Sequence, residues 1–381
     1  MEYGAVAGKE GIPQRAFLAL PSPEPAAGTD AYIRERELAL ARSPQCRENY
    51  ERYQAFARSG AVVDFLPIKL DIENVSRCNF RCTMCTVSDW HRGQRAADLR
   101  LEDFKRLIDE QIGLVEIKLQ GLGEPTMQRD DYFAMIRYAR ARNIWVRTTT
   151  NASLLHLNDN YRKMIDSGVN EVQISIDGAT KEVFESIRRG SVFDQVTANC
   201  KLINGYSREV DVERTKMWTV VQRGNWHQLD DLVDLAAELG FTNQVFSLDV
   251  SDWGSKTWRE RNALVDVEDD LDHERLFQLV DRGKERGVRV RFWVVTQKFN
   301  TSSPDKICGW PFERAFISSD RRVVPCCIIS NPDTHQIGES ISENNSFSQI
   351  WFGEAYREFR QAHLDGNIPE ACKGCYKGGG S

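Results

Sequence analysis

Short apolar runs of strand length recur along most of this chain, at 66–72, 115–119, 144–150, 171–176, 210–221, 243–249 and 288–295. Between them the apolar positions shift to a helical period, which predicts helices over 130–142, 161–167, 228–239 and 272–286 and another starting near Thr180. Gly168 follows the second of these as a C-cap. Strands separated by helices of this length imply right-handed βαβ units and a parallel sheet. Such sheets place their ligands at the C-terminal strand ends.

The flanks follow other patterns. Residues 1–30 are rich in Pro, Gly and Ala and predict a loose surface segment, and 30–59 turn helical, as a cap or interface. After 295 the period shortens. A hairpin is expected from 315–318 and 321–324, turning at Ser319-Asp320, then a helix over 347–364, with Pro369 ahead of the last cysteines. This reads as a separate small domain.

Composition narrows the class. The 381 residues are 41% hydrophobic and 28% charged, with a net charge of −6. That is an ordinary globular balance, and the acidic sign speaks against a nucleic-acid partner. There is no membrane-length apolar run and no signal-peptide pattern at the N-terminus, so a cytoplasmic protein is expected. Ten cysteines in such a chain point to metal binding rather than disulfides. Gly378 to Ser381 reads as a flexible tail.

The cysteines carry the chemistry. Cys78, Cys82 and Cys85 form a C-x3-C-x2-C run just after the first strand. Three thiolates are one fewer than a [4Fe–4S] cube takes. A zinc knuckle needs a fourth ligand, and only His91 lies near. The run resembles the signature of the radical S-adenosylmethionine (SAM) enzymes, in which the open iron chelates SAM and electron transfer releases a 5′-deoxyadenosyl radical. The resemblance covers about 66–376. It implies a partial (β/α)6 TIM-like barrel with a small C-terminal α+β iron–sulfur domain, divided as 1–64, 65–300, 301–376 and a 377–381 tail. It also implies a flavodoxin or ferredoxin as electron donor.

Other positions take their roles from the same resemblance. Gln120-Gly121-Leu122-Gly123-Glu124-Pro125 is similar to the segment that holds the SAM amino group, with Glu124 as acceptor. The glycines Gly121 and Gly123 would let backbone approach a ligand. Asn151 and Ser175, with Asp177, are candidates for the ribose and methionyl groups, and Arg188 for the SAM carboxylate. Val221 and Asn225 would flank the adenine. Met84 stands where the family often has an aromatic residue, and it would pack on adenine in its place.

Cys308, Cys326, Cys327, Cys372 and Cys375 form a second set, similar to the SPASM or twitch extension of this family. Too few cysteines remain for two further clusters, so one auxiliary [4Fe–4S] cluster on Cys308, Cys326, Cys372 and Cys375 is expected, with Cys327 a neighbouring thiol that spacing does not separate from Cys326. A four-thiolate zinc site is the competing reading. Cys46 and Cys200 have no partners in the pattern.

The reaction implied is hydrogen removal from a substrate C–H bond, with oxidation or rearrangement of a small polar metabolite such as a sugar, aminocyclitol or nucleoside. The alternative is maturation of a ribosomal peptide. Residues 1–60 do not read as a built-in leader-binding domain, which would leave that task to a separate protein. A metal-stabilised binding module is the reading outside the enzymes. Asp252 and Glu313 are candidate bases.

Overall fold

The computed structural model describes residues 20–21, 28–294 and 307–376. The expectations for residues 1–19 and 22–27, for 295–306 and for the 377–381 tail lie outside them. Seven strands run parallel in chain order: β1 (Lys69–Ile72), β2 (Glu116–Leu119), β3 (Trp145–Thr150), β4 (Glu171–Ser175), β5 (Thr215–Val220), β6 (Asn243–Ser247) and β7 (Arg289–Trp293). The six-stranded core expected is β1 to β6, and β7 extends it. On the other side β8 (Arg314–Ile317) joins β1 in parallel, and β9 (Val323–Val324) turns back antiparallel on β8. The sheet thus has nine strands in the order β9-β8-β1-β2-β3-β4-β5-β6-β7.

Alternation along the strands divides the sheet into two chemical faces. Leu70, Ile72, Ile117, Leu119, Val146, Val172, Ile174, Met217, Phe246, Phe292 and Ile317 are buried on one face, in the main core with the helices. The other face mixes charged side chains with Trp145, Trp218 and Phe316. Glu116 pairs with Lys69 at 3.4 Å and Arg147 at 3.1 Å, and Glu171 pairs with Arg147 at 3.4 Å and Lys216 at 2.7 Å.

Helix α1 (Asp30–Leu40) packs at the N-terminal ends of the strands. Tyr32 donates to Glu116 at 3.0 Å, and its ring lies 5.2 Å from that of Trp145. With that end covered, the C-terminal ends are left for a site.

Several predicted elements are shorter than the pattern suggested. The 30–59 helix is two helices, α1 and α2 (Pro44–Ala55). Pro44 removes a backbone donor and drives Ser43 out of the helical region, so Ser43 becomes the N-cap of α2. The 347–364 helix likewise splits at Gly353 into two, 347–351 and 354–364. The 210–221 strand begins only at Thr215, because the preceding helix, Phe193–Glu209, runs to its edge. The hairpin read as part of a separate small domain instead continues the main sheet. The C-terminal region also docks back through Trp351, whose indole donates to the Phe65 carbonyl at 2.8 Å.

Candidate functional site

The loop after β1 carries Cys78, Cys82 and Cys85, and several elements hold it in place. Arg81 and Cys82 form a two-residue antiparallel ladder with Arg189 and Arg188. Ser88 donates to the Cys82 carbonyl at 2.6 Å, and the Phe80 N–H points to the Cys78 sulfur at 3.4 Å. Burial pushes all three thiols up, Cys85 to about 12. They also raise one another, Cys82 acting on both Cys78 and Cys85.

Thiols so placed stay protonated at neutral pH unless positive charge reaches them, and cluster irons supply such charge. The donor set therefore fits an iron–sulfur cluster. Among the described residues, no three Cys, His, Asp or Glu groups gather tightly enough to hold a single metal ion.

Glu124 is fully buried beside Cys78, and burial raises its carboxyl. One oxygen accepts from Thr126 Oγ1 at 2.6 Å and Thr150 Oγ1 at 2.7 Å, the other from the Asn151 N–H at 2.7 Å. The carboxylate is thus built into the end of β3. The glycines before it also answer a packing constraint within the protein. A Cβ on Gly121 would come within 2.1 Å of the Glu73 side chain, and one on Gly123 within 2.4 Å of the Val75 carbonyl. Their smallness lets this loop pack against the segment leading into Cys78.

Asn151 donates to Asn79 Oδ1 at 3.0 Å and lies 3.9 Å from the Cys78 sulfur. Ser175 is the partly exposed last residue of β4. Asp177 and Arg188 form a buried ion pair at 2.7 Å. Another Arg188 nitrogen lies 4.0 Å from the Cys82 sulfur, so this guanidinium serves Asp177 and the cysteine loop. Val221 and Asn225 are both fully buried. The Asn225 amide donates to the Asp177 and Val220 carbonyls at 3.0 and 2.9 Å, which makes it a brace between two loops. Met84 is nearly buried, and its carbonyl accepts from Trp253 Nε1 at 3.0 Å.

Of the candidate bases, Glu313 lies at the N-terminal end of β8, away from the loop that follows β1. Burial alone would raise its carboxyl, but Arg314 and Lys69 hold it below the usual range. Tyr53 donates to it at 3.0 Å, so Glu313 belongs to an ion-pair network at the far end. Asp252 accepts from Arg259 at 2.8 Å and lies beside Cys372 and Cys375.

The second set comes together from three segments: Cys308, Cys326, Cys372 and Cys375 line one cavity with Trp310 and Tyr376. Cys327 does not line it. Burial raises Cys308 to about 11 and Cys372 to about 12, so this set has the same need for positive charge. Cys46 and Cys200 are buried elsewhere.

Three positioning residues carried no motif. Glu73 accepts from the Leu122 and Ser319 N–H groups, both at 3.1 Å, and from Arg95 at 3.0 Å, fastening β1 to the Gly121 loop and the hairpin. Trp253 and Asn262 converge on the Met84 carbonyl. Trp253 lies in the loop that follows β6.

Comparison with known proteins follows these lines. Residues 73–236 match the Radical SAM superfamily, and 308–376 match SPASM, an iron–sulfur cluster-binding domain. The chain is 31% identical over 209 residues to mycofactocin maturase MftC of Mycolicibacterium smegmatis, covering 54% of this chain and 50% of that protein. It therefore spans about half the length of that curated relative. It is 27% identical over 267 residues to GTP 3′,8-cyclase of Ectopseudomonas mendocina, covering 68% of this chain and 78% of the relative. Streptococcus suis SuiB bound to precursor peptide SuiA shares the fold, with a TM-score of 0.61 at 17% identity, over 82% of this chain and 70% of that one. So does anSMEcpe with bound AdoMet, with a TM-score of 0.56 at 21% identity, over 81% and 83% of the two chains. No helix among the described residues is long and apolar enough to cross a membrane.

Proposed function

Because the chain belongs to the radical SAM superfamily and ends in a SPASM iron–sulfur domain, we propose that it is a peptide maturase working by radical SAM chemistry. This reverses the preference for a small polar metabolite that the sequence suggested. In this reading Cys78, Cys82 and Cys85 hold a [4Fe–4S] cluster, and Cys308, Cys326, Cys372 and Cys375 hold one auxiliary cluster. When bound, the first cluster and SAM supply a 5′-deoxyadenosyl radical that removes hydrogen from a C–H bond.

The chain's own residues prepare that site. Glu124 fixes the end of β3 through the Asn151 N–H and Thr150, which leaves the Asn151 amide aimed at the cysteine loop. Ser175 offers its hydroxyl at the end of β4. Asp177 and Arg188 keep positive charge next to Cys82 without leaving either group unpaired. The packed sheet and the α1 cap exclude water from one end, which suits a reactive intermediate.

One observation carries the substrate reading: the similarity, at 31% identity, to MftC, named as a maturase. The fold shared with SuiB, solved with a precursor peptide, supports the same direction.

A flavodoxin or ferredoxin would donate the electron, and a separate leader-binding protein would present the peptide. The test is to incubate the reduced, reconstituted protein with short peptides encoded beside its gene. A peptide mass change matched by 5′-deoxyadenosine is expected. A change on a neighbouring sugar or nucleoside instead would overturn the peptide reading.

A further inference from the structure

A single segment touches both cysteine sets. It comprises the loop after β6 and the helix Lys256–Ala263. Toward the first set, Trp253 Nε1 donates to the Met84 carbonyl at 3.0 Å, and Asn262 reaches the same oxygen at 3.4 Å. Arg261 grips Asp89 at 2.8 Å just beyond Cys85. Toward the second set, His335 meets the Gly254 carbonyl at 3.2 Å, Arg259 reaches Glu370 at 3.2 Å, and Asp252 lies beside Cys372 and Cys375.

The backbone between these contacts is constrained. Trp253 has φ of 54°, in the left-handed region that a bulky residue seldom adopts, and Gly254 follows with φ of 67°. A Cβ on Gly254 would lie 2.6 Å from Ile329 and 2.7 Å from His335. The C-terminal region thus presses directly on the residue after Trp253. A chain of contacts thus runs from Ile329 and His335 through Gly254 and Trp253 to the peptide that carries Cys85.

We infer that Trp253 is a positioning residue that couples the second cysteine set to the first, so that the state of one alters cofactor binding at the other. Coupling of this kind is a free energy shared by two sites, and it is reciprocal. The links are a few hydrogen bonds and one close packing contact, each contributing on the order of 1 kcal/mol, which supports a coupling of several-fold. The inference rests on the two-cluster reading above.

The experiment compares full-length reconstituted parent, Trp253→Phe, Cys372→Ala and the double variant. It measures the SAM dissociation constant and the change SAM induces in the electron paramagnetic resonance spectrum of the reduced first cluster. Each single change is expected to weaken SAM binding about fivefold, with the double variant within about twofold of either. Effects that multiply in the double variant, or a Cys372→Ala protein that binds SAM like the parent, would overturn the coupling. A parallel pair, Arg259→Gln with His335→Ala in place of Cys372→Ala, keeps every cysteine and must show the same non-additivity. It carries the test if Cys372→Ala does not fold. A Cys372→Ala protein that loses no iron contradicts the auxiliary cluster itself, and the parallel pair then still decides the coupling.

Discussion

Cys82 and Arg188 face each other across a two-residue ladder, with a guanidinium nitrogen 4.0 Å from the sulfur and the same side chain paired to Asp177 at 2.7 Å. The arginine that the sequence motif suggested for a SAM carboxylate is already engaged by a buried protein carboxylate. Its charge bears on Cys82 directly.

Arg188→Met is therefore expected to act on the fold before it acts on SAM. It leaves Asp177 buried without its partner, which costs about 3–5 kcal/mol. Denaturant unfolding of the apo protein checks this. A variant as stable as the parent would place Arg188 outside the buried pair.

Glu124→Gln removes a carboxylate that accepts from Thr126, Thr150 and the Asn151 backbone. An amide has one acceptor oxygen and would turn an NH2 toward a donor. A loss of about 1–3 kcal/mol in stability is expected, with weaker SAM binding because Asn151 is released. Calorimetric titration of SAM into reconstituted protein reads the second effect.

These two positions show how far the sequence could be read. The cysteine spacings and the strand–helix alternation are local patterns, and they placed both cysteine sets and the parallel core. The partners of Arg188, Asn225 and Val221 depend on which loops meet at the sheet end, and no local pattern carries that. Glu313 is the clearest case. It looked available as a base because nothing nearby in sequence reveals that β8 pairs with β1 or that Tyr53 covers its carboxylate. Trp253 escaped for a related reason, since its partner Met84 is distant in sequence.

Glu313→Gln should consequently behave as a structural change. Arg314 and Tyr53 lose an ionised partner, so the melting temperature is expected to fall. SAM cleavage per iron-loaded chain should match the parent. Loss of cleavage in a fully loaded, folded variant would restore a catalytic role.

Glu116 gives a pH dependence. Burial alone would raise its carboxyl, but Lys69, Arg147 and Arg314 outweigh that and hold it well below the ordinary 4.5. With the folded value depressed, its stabilisation is complete above the unfolded value and is lost as pH falls below it. Urea unfolding at about pH 6 and about pH 3.5 should show the parent losing more stability than Glu116→Gln, which has no such proton to take up. Equal losses would mean that Glu116 is not held ionised by this network.

The most direct measurement is iron and sulfide content together with 5′-deoxyadenosine formation, in the reconstituted parent and in the Cys78→Ala, Cys82→Ala, Cys85→Ala triple variant. Two cubes predict about eight irons in the parent and about four in the variant. The parent should form 5′-deoxyadenosine from SAM under reduction, and the variant none. A parent with about four irons, or a variant that still forms 5′-deoxyadenosine, would contradict the division between a chemically open cluster and a closed one.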